Sequence, residues 1–256
     1  MAVAHGAGGP SLPGWRGVAK SIVGGLKERR LEPELMDDPS LDPALHEQAL
    51  SALSRINRIS LTDRHVAGEV DRLWAAGERP VRILDVGCGD ADVLVRVGAR
   101  ARERGIDVEL HGCDMSPVAL DRARRRASAS DVALVLSRLD VTREPLPGDR
   151  FSLVTCSLFL HHFTEDDAVA LLGRMAAATR TMLVQDLRRT RLGLLMAWVG
   201  ILGLTRSPVV HVDGLLSVHA AFTLREAAGL CARAGLSEAQ VTSCWPQRFL
   251  IRHTSA

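Results

Sequence analysis

The chain reads as an α/β protein, a mostly parallel sheet covered by helices on both faces. Three observations predict this: short apolar runs alternate with amphipathic segments, one such run stops abruptly at a Gly-x-Gly turn, and acidic residues follow successive strands. The stretch Val81-Arg82-Ile83-Leu84-Asp85-Val86-Gly87-Cys88-Gly89 is the pivot of the pattern. Its apolar part suits a strand buried on both faces, and its glycines let the backbone turn sharply without a Cβ in the way.

The totals narrow the chemistry. At 256 residues the chain can bury a full core in one large domain. Its 32 basic and 30 acidic residues leave a net charge of +2, so no nucleic-acid partner is expected. Basic charge comes from arginine apart from Lys20 and Lys27, and tyrosine is absent, which excludes a mechanism built on a core lysine or on any tyrosine. The five cysteines (Cys88, Cys113, Cys156, Cys231 and Cys244) are widely spaced with no Cys-x-x-Cys pair. They predict reduced thiols in a cytoplasmic protein, and no metal site is assigned. No charged start followed by a long apolar core marks a secretory signal. Leu192 to Leu204 is apolar for about 13 residues, short of the roughly 20 a span needs, and predicts a buried or surface-lying helix with peripheral membrane contact at most.

In chain order, residues 1–30 mix Gly, Pro, Ser and Ala and predict a loose or lightly docked arm. Residues 31–79 predict an N-terminal helical cap. Asp42-Pro43 is an N-cap followed by proline at the first helical position, and the helix it opens runs to Ile59 on an apolar stripe. A second helix, Thr62 to Ala76, ends at Gly77. Residues 80–256 form the main domain. Beyond the glycine turn come a helix from Ala91 to Arg104, a strand from Val108 to Cys113, a helix opened by Ser116-Pro117, and strands at Val132–Leu136, Phe151–Ser157 and Thr181–Gln185. Arg122, Arg124, Arg125 and Arg126 read as a solvated helix face. The rhythm then breaks at residues 187–218, a lid insertion with Ser207 to Gly214 as a loop. A helix over Ala221–Ala234 follows, then runs at Glu238–Cys244 and Arg248–Arg252 whose short connection requires an antiparallel pair.

The glycine turn announces a nucleotide, and its flanks decide which one. In a dinucleotide fingerprint a third glycine falls at what is here Asp92, where a carboxylate would face the pyrophosphate. Asp85 is instead placed to hold an ammonium group, while the loop amides can hold a carboxylate, so the turn suits an amino-acid end. Asp114 can accept two hydrogen bonds from a ribose diol, and Asp140 one from an exocyclic adenine amine.

These residues resemble the class I S-adenosylmethionine-dependent methyltransferases. The first motif of that family, acid-x-Gly-x-Gly-x-Gly, is matched by Asp85-Val86-Gly87-Cys88-Gly89-Asp90-Ala91, with alanine in place of the last glycine. Cys156-Ser157-Leu158-Phe159-Leu160-His161-His162-Phe163 is similar to the fourth-strand motif of the quinone methyltransferase branch. The resemblance implies a Rossmann-like seven-stranded, mostly parallel sheet with an antiparallel last strand, N-terminal helices and a helical lid. It also implies S-adenosyl-L-methionine as cofactor, held by Asp85, Gly87, Gly89, Asp114, Met115, Asp140, Val141 and Ser157, with Arg58 as a further contact.

Methyl transfer from a sulfonium is an in-line displacement in which the protein mainly aligns the reactants and excludes water. A hydroxyl nucleophile gains from losing its proton, so His161 or His162 is expected as the base or as the group that orients the acceptor. His211 and Asp213 are expected to form a hydrogen-bonded pair reaching toward the substrate. The acceptor expected is an apolar small molecule (phenolic, polyketide or quinone-like), with O-methylation favoured over C-methylation. Methylation of RNA or protein, or a catalytically silent cofactor-binding module, are the alternatives. Either a monomer or a homodimer fits.

Overall fold

A computed structural model of the chain describes residues 25–38, 40–147, 150–205 and 207–255. Most of the arm expected over residues 1–30 lies outside the described residues. The sheet has seven strands in the order β3-β2-β1-β4-β5-β7-β6: β1 Val81–Val86, β2 Val108–Asp114, β3 Val135–Arg138, β4 Phe151–Ser157, β5 Thr179–Leu187, β6 Gln240–Cys244 and β7 Arg248–Thr254. β7 runs antiparallel to both β5 and β6, and the remaining pairings are parallel. Eight α-helices accompany it among the described residues: α1 Pro43–Ile59, α2 Thr62–Ala75, α3 Asp92–Glu103, α4 Pro117–Ala129, α5 Glu165–Ala177, α6 Arg191–Leu204, α7 Pro208–Ala220 and α8 Leu224–Arg233.

The period of two along β1 divides its side chains between two cores. Leu84 and Val86 join Val154, Cys156, Leu171, Met175, Phe222 and Phe249 on the α5/α8 side. Val81 and Ile83 join Val66, Val70, Leu94, Val97 and Leu120 on the α2/α3/α4 side. Burial on both faces explains why the first and fourth strands are almost continuously apolar. The strand order reverses between β1 and β4, so the carboxyl ends of these two strands open the crevice where α/β sheets bind ligands.

Helix ends follow the capping chemistry of the sequence. Asp42 accepts hydrogen bonds from the backbone N–H of Ala44 and Leu45, Ser116 from Ala119, and Thr164 from Asp167, with Glu165, Asp166 and Asp167 at the positive end of α5. Thr223 and Glu226 form a reciprocal capping box at α8, which starts later than the expected Ala221.

Three expectations are corrected. The third strand is Val135–Arg138 rather than Val132–Leu136, because Asp131 adopts a left-handed conformation (φ 51°) and the Val132 N–H bonds back to Ala127 O, closing α4. Ser207 to Gly214 is not a loop: Ser207-Pro208 starts α7, which buries Val209, Val210, Val212, Leu215 and Leu216. A helix enclosed on most sides carries no amphipathic stripe for a sequence reading to find. Finally, only part of the arginine face of α4 is solvated. Arg122 and Arg126 turn inward onto Asp90, and Arg126 also reaches Asp92 at 3.0 Å. Arg122 bonds Glu47 and Ser51 of α1, and Arg126 bonds Ser54 at 2.8 Å. This network ties α1 to the loop after β1. No helix among the described residues is long and apolar enough to cross a membrane.

Candidate active site

A cavity of about 500 Å³ lies over the carboxyl ends of the central strands. Its lining includes Asp85, Gly87, Gly89 and Asp114, the polar cluster Glu34, His161 and His162, and apolar side chains such as Leu50, Leu53, Met196 and Val210. The volume suits a medium-sized organic ligand.

The nucleotide-like end is shaped by β1 and β2. The N–H groups of Gly87 and Cys88 both donate to Cys113 O, at 2.9 and 3.0 Å, which folds the turn across the tip of β2. Asp114 accepts from Gly89 N–H at 2.8 Å and from Ser116 N–H at 2.9 Å, and it lines the cavity. Gly87 has φ +69°, and a Cβ added there would lie 2.5 Å from the Phe159 ring. Ala91, in the place of the family's last glycine, also has positive φ (54°) and opens α3 as its N-cap.

Asp85 is buried and accepts a hydrogen bond from Thr155 Oγ1 at 2.7 Å. Burial pushes its carboxyl up to about 7, the Thr155 bond opposing and the Asp114 charge adding to the rise. A buried acid in this state is poised to ionise when a cation arrives beside it. Asp92 does not face the crevice as a bare carboxylate: it pairs with Arg96 and Arg126, and Asp90 is tied to Arg122, Arg126 and Ser54.

The polar cluster was only half visible in the sequence. His161 and His162 form a short 3-10 turn after β4, their rings tilted at 31° with centroids 4.4 Å apart. His161 Nδ1 meets Asp186 Oδ1 at 2.7 Å, and the His161 N–H donates to Asp186 Oδ2 at 2.9 Å. Burial alone would lower the imidazole, but the charge and hydrogen bond of Asp186, then Glu34, outweigh it and raise His161 to about 10. Asp186 is held below the usual carboxylate range, burial being outweighed by His161.

Glu34 enters from the N-terminal segment. It is partly buried against Ser217 Oγ, which donates to it, and lies 3.5 Å from His161 Nε2 and 3.9 Å from His162 Nε2. Arg29 fastens the same segment, donating to the carbonyls of His161 and Phe163 at 2.7 and 2.6 Å and packing its guanidinium 4.0 Å from the Phe222 ring centroid. Asp213 holds it from α7, accepting from Leu35 N–H and Met36 N–H at 2.8 and 3.0 Å.

Asp85, Gly87, Gly89, Asp114, Ser157, His161 and His162 therefore line one cavity. Met115, Asp140, Val141, Arg58, His211 and Asp213 are not among its lining residues. Met115 is exposed and Val141 is buried in the core. Asp140 accepts from Thr142 N–H and Oγ1, and Arg58 is exposed in the last turn of α1. His211 and Asp213 do not form the expected pair: His211 Nε2 meets Thr205 O at 2.9 Å, and Asp213 anchors the N-terminal segment. Glu34 and Asp186 were missed. Asp186 carried a signal, an acid at the carboxyl end of a core strand, whereas Glu34 carried none.

Residues 83–181 match the family model described as a methyltransferase domain. The matched segment runs from β1 into β5 and includes the glycine turn, Asp114, His161 and His162. The chain is 32% identical over 115 residues to demethylmenaquinone methyltransferase of Deinococcus radiodurans, covering 42% of this chain and 46% of that protein. Identity to demethylmenaquinone methyltransferase of Thermus thermophilus is 27% over 137 residues, 50% of this chain and 60% of that one. The chain thus spans about half the length of these relatives. Among solved structures, the methyltransferase fold is shared with an O-methyltransferase (NcsB1) from neocarzinostatin biosynthesis, in complex with S-adenosyl-L-homocysteine and 1,4-dihydroxy-2-naphthoic acid. That likeness has a TM-score of 0.62 at 21% identity and covers 88% of this chain and 62% of the other. Magnesium protoporphyrin IX methyltransferase from Synechocystis PCC 6803 shares it with a TM-score of 0.53 at 15% identity, 94% of each chain being covered.

Proposed function

We propose that this chain transfers a methyl group from S-adenosylmethionine to a hydroxyl oxygen of an apolar small molecule, phenolic, polyketide or quinone-like. The observation that carries the reading is that Asp85 and Asp114, the Glu34–His161–His162 cluster and the apolar Leu50, Leu53, Met196 and Val210 line one cavity, which we read as a donor end and an acceptor end. The residues at the first end fit the cofactor: a buried acceptor for its ammonium group, a carboxylate for its ribose diol, and a turn without a Cβ where the backbone must come close. Asp140 and Met115 follow adjacent strands and are the candidates for the adenine edge and face. When bound, the cofactor supplies a methyl group already activated on a sulfonium.

The chain's own work is then positioning and proton management. The apolar wall excludes water and seats the acceptor ring, while the polar cluster receives its hydroxyl. His161, clamped between Asp186 and Glu34, orients the cluster, and His162, only partly buried, is the side chain that meets the hydroxyl. The relatives that methylate demethylmenaquinone favour a second reading, transfer to a ring carbon of a quinol.

The experiment is incubation with isotopically labelled methyl donor and a panel of phenols, naphthols and quinols, followed by NMR of the products. O-methyl products support the first reading and ring-methyl products the second; no labelled product from any acceptor, with the donor bound, overturns both.

Asp85 gives a pH prediction. Its folded value of about 7 lies above the unfolded value of about 3.9, so the donor-free protein is favoured when this carboxyl is protonated. That stability is complete below about pH 4 and falls as pH rises toward 7, by roughly 4 kcal/mol at most. Asp85→Asn should remove the fall while weakening donor binding, as read by urea unfolding at pH 5 and 8. Identical pH dependence in both proteins would contradict the assignment.

A further inference from the structure

A carboxylate oxygen of Glu34 and one ring nitrogen each of His161 and His162 all lie within 4.8 Å of one another. The two measured gaps, 3.5 Å from His161 Nε2 to Glu34 Oε1 and 3.9 Å from His162 Nε2 to Glu34 Oε2, exceed the roughly 2.7–2.9 Å of a charge-assisted hydrogen bond. The first is close to the separation of about 3.4 Å that ligands take when each sits about 2.1 Å from a tetrahedral metal ion, and the second, to the other carboxylate oxygen, is about half an ångström longer. The surroundings also match. Asp186 holds His161 Nδ1 at 2.7 Å, which directs Nε2 toward Glu34 in the carboxylate–histidine–metal arrangement. Ser217 Oγ donates to Glu34 and fixes the carboxylate. Two imidazoles and a carboxylate make a nitrogen and oxygen set that favours a zinc-like divalent ion and leaves a position open.

We propose that Glu34, His161 and His162 hold one zinc-type divalent cation whose open position faces the acceptor. The sequence reading assigns no metal, because one ligand is more than a hundred residues from the other two and no motif joins them. Resting on the reading that the acceptor hydroxyl enters this end, the ion would bind that oxygen and lower its pKa. The O–H bond then breaks with its electron pair left on oxygen and its proton passed to water. This gives the N-terminal segment a purpose beyond covering the cavity, since it delivers the anionic ligand.

The test is calorimetric titration of the chelator-treated full-length protein with Zn²⁺, and absorption spectroscopy with Co²⁺. The wild type should bind one equivalent of Zn²⁺ and give the visible bands of tetrahedral Co²⁺. Glu34→Gln and His162→Ala should each weaken Zn²⁺ by about 100-fold, and Asp186→Asn by about 10-fold. Circular dichroism confirms that each variant is folded, and S-adenosylhomocysteine is titrated into the same samples. Failure of the folded wild type to bind Zn²⁺ stoichiometrically, or wild-type affinity in Glu34→Gln and His162→Ala, overturns the metal site. If S-adenosylhomocysteine still binds and methyl transfer survives chelation, the proposed function stands without the metal. Zn²⁺ binding without S-adenosylhomocysteine binding sinks the function and keeps the site.

Discussion

Asp114→Ala is expected to weaken S-adenosylhomocysteine binding by at least about 100-fold while leaving the protein folded. The carboxylate at the tip of β2 does two jobs at once. It accepts the N–H groups of Gly89 and Ser116, which sets the glycine turn against the start of α4, and it lines the cavity where the proposed ribose diol would lie. Hydrogen bonds to a charged acceptor contribute about 1.5–3 kcal/mol each, so losing two from a ribose diol is worth roughly 3–6 kcal/mol. The loosened turn adds to the loss. Asp114→Asn keeps the shape and part of the hydrogen bonding, and should fall between alanine and the wild type. Calorimetry with S-adenosylhomocysteine checks both. An alanine variant within tenfold of the wild type would remove Asp114 from the cofactor site.

Gly87→Ala should destabilise the donor-free protein by roughly 2–4 kcal/mol and also impair cofactor binding. Two costs combine at this position. A non-glycine residue in the left-handed region loses about 1–2 kcal/mol, and the added Cβ would stand 2.5 Å from the Phe159 ring at φ +69°. Phe159 packs edge-on against Phe163, ring centroids 4.9 Å apart, and stands 5.8 Å from the His162 ring. Displacing it therefore disturbs the polar end of the cavity as well as the turn. For a chain of this size 1 kcal/mol shifts Tm by about 2–4 °C, so a fall of roughly 5–15 °C is expected in a thermal melt. Gly89→Ala is the control: its φ is +54° but no atom lies within 4 Å of an added Cβ, so the smaller, purely backbone cost should appear. Equal effects at the two glycines would show that Phe159 has room to move and that the contact is unimportant.

The strands and the glycine turn were legible because they are local. Alternation along β1, caps such as Asp42, Ser116 and Thr164, and prolines at first helical positions act within a few residues. The grouping of Asp85, Gly87, Gly89 and Asp114 was legible for the same reason, since the first three are one turn and Asp114 ends the adjacent strand. What resisted reading depends on the third dimension. α7 is enclosed, so Ser207-Pro208 was present as a start signal but no polar stripe supported a helix behind it. Arg122 and Arg126 looked solvated until α1 brought Glu47, Ser51 and Ser54 over them. Glu34 sits among prolines and acids with no pattern of its own and gains its place through distant partners, Ser217 on its carboxylate and Asp213 and the contacts of Arg29 on its segment. Asp186 could have been found, because the reasoning that selected Asp114 applies equally to an acid at the end of β5.

The most direct test of a cavity divided between a donor end and an acceptor end is a crystal structure with S-adenosylhomocysteine bound. The ribose diol should lie on Asp114, the ammonium group beside Asp85, and the sulfur should point along the apolar wall toward Glu34, His161 and His162. A ligand bound with its sulfur turned away from that cluster, or with its ribose clear of Asp114, would contradict the division.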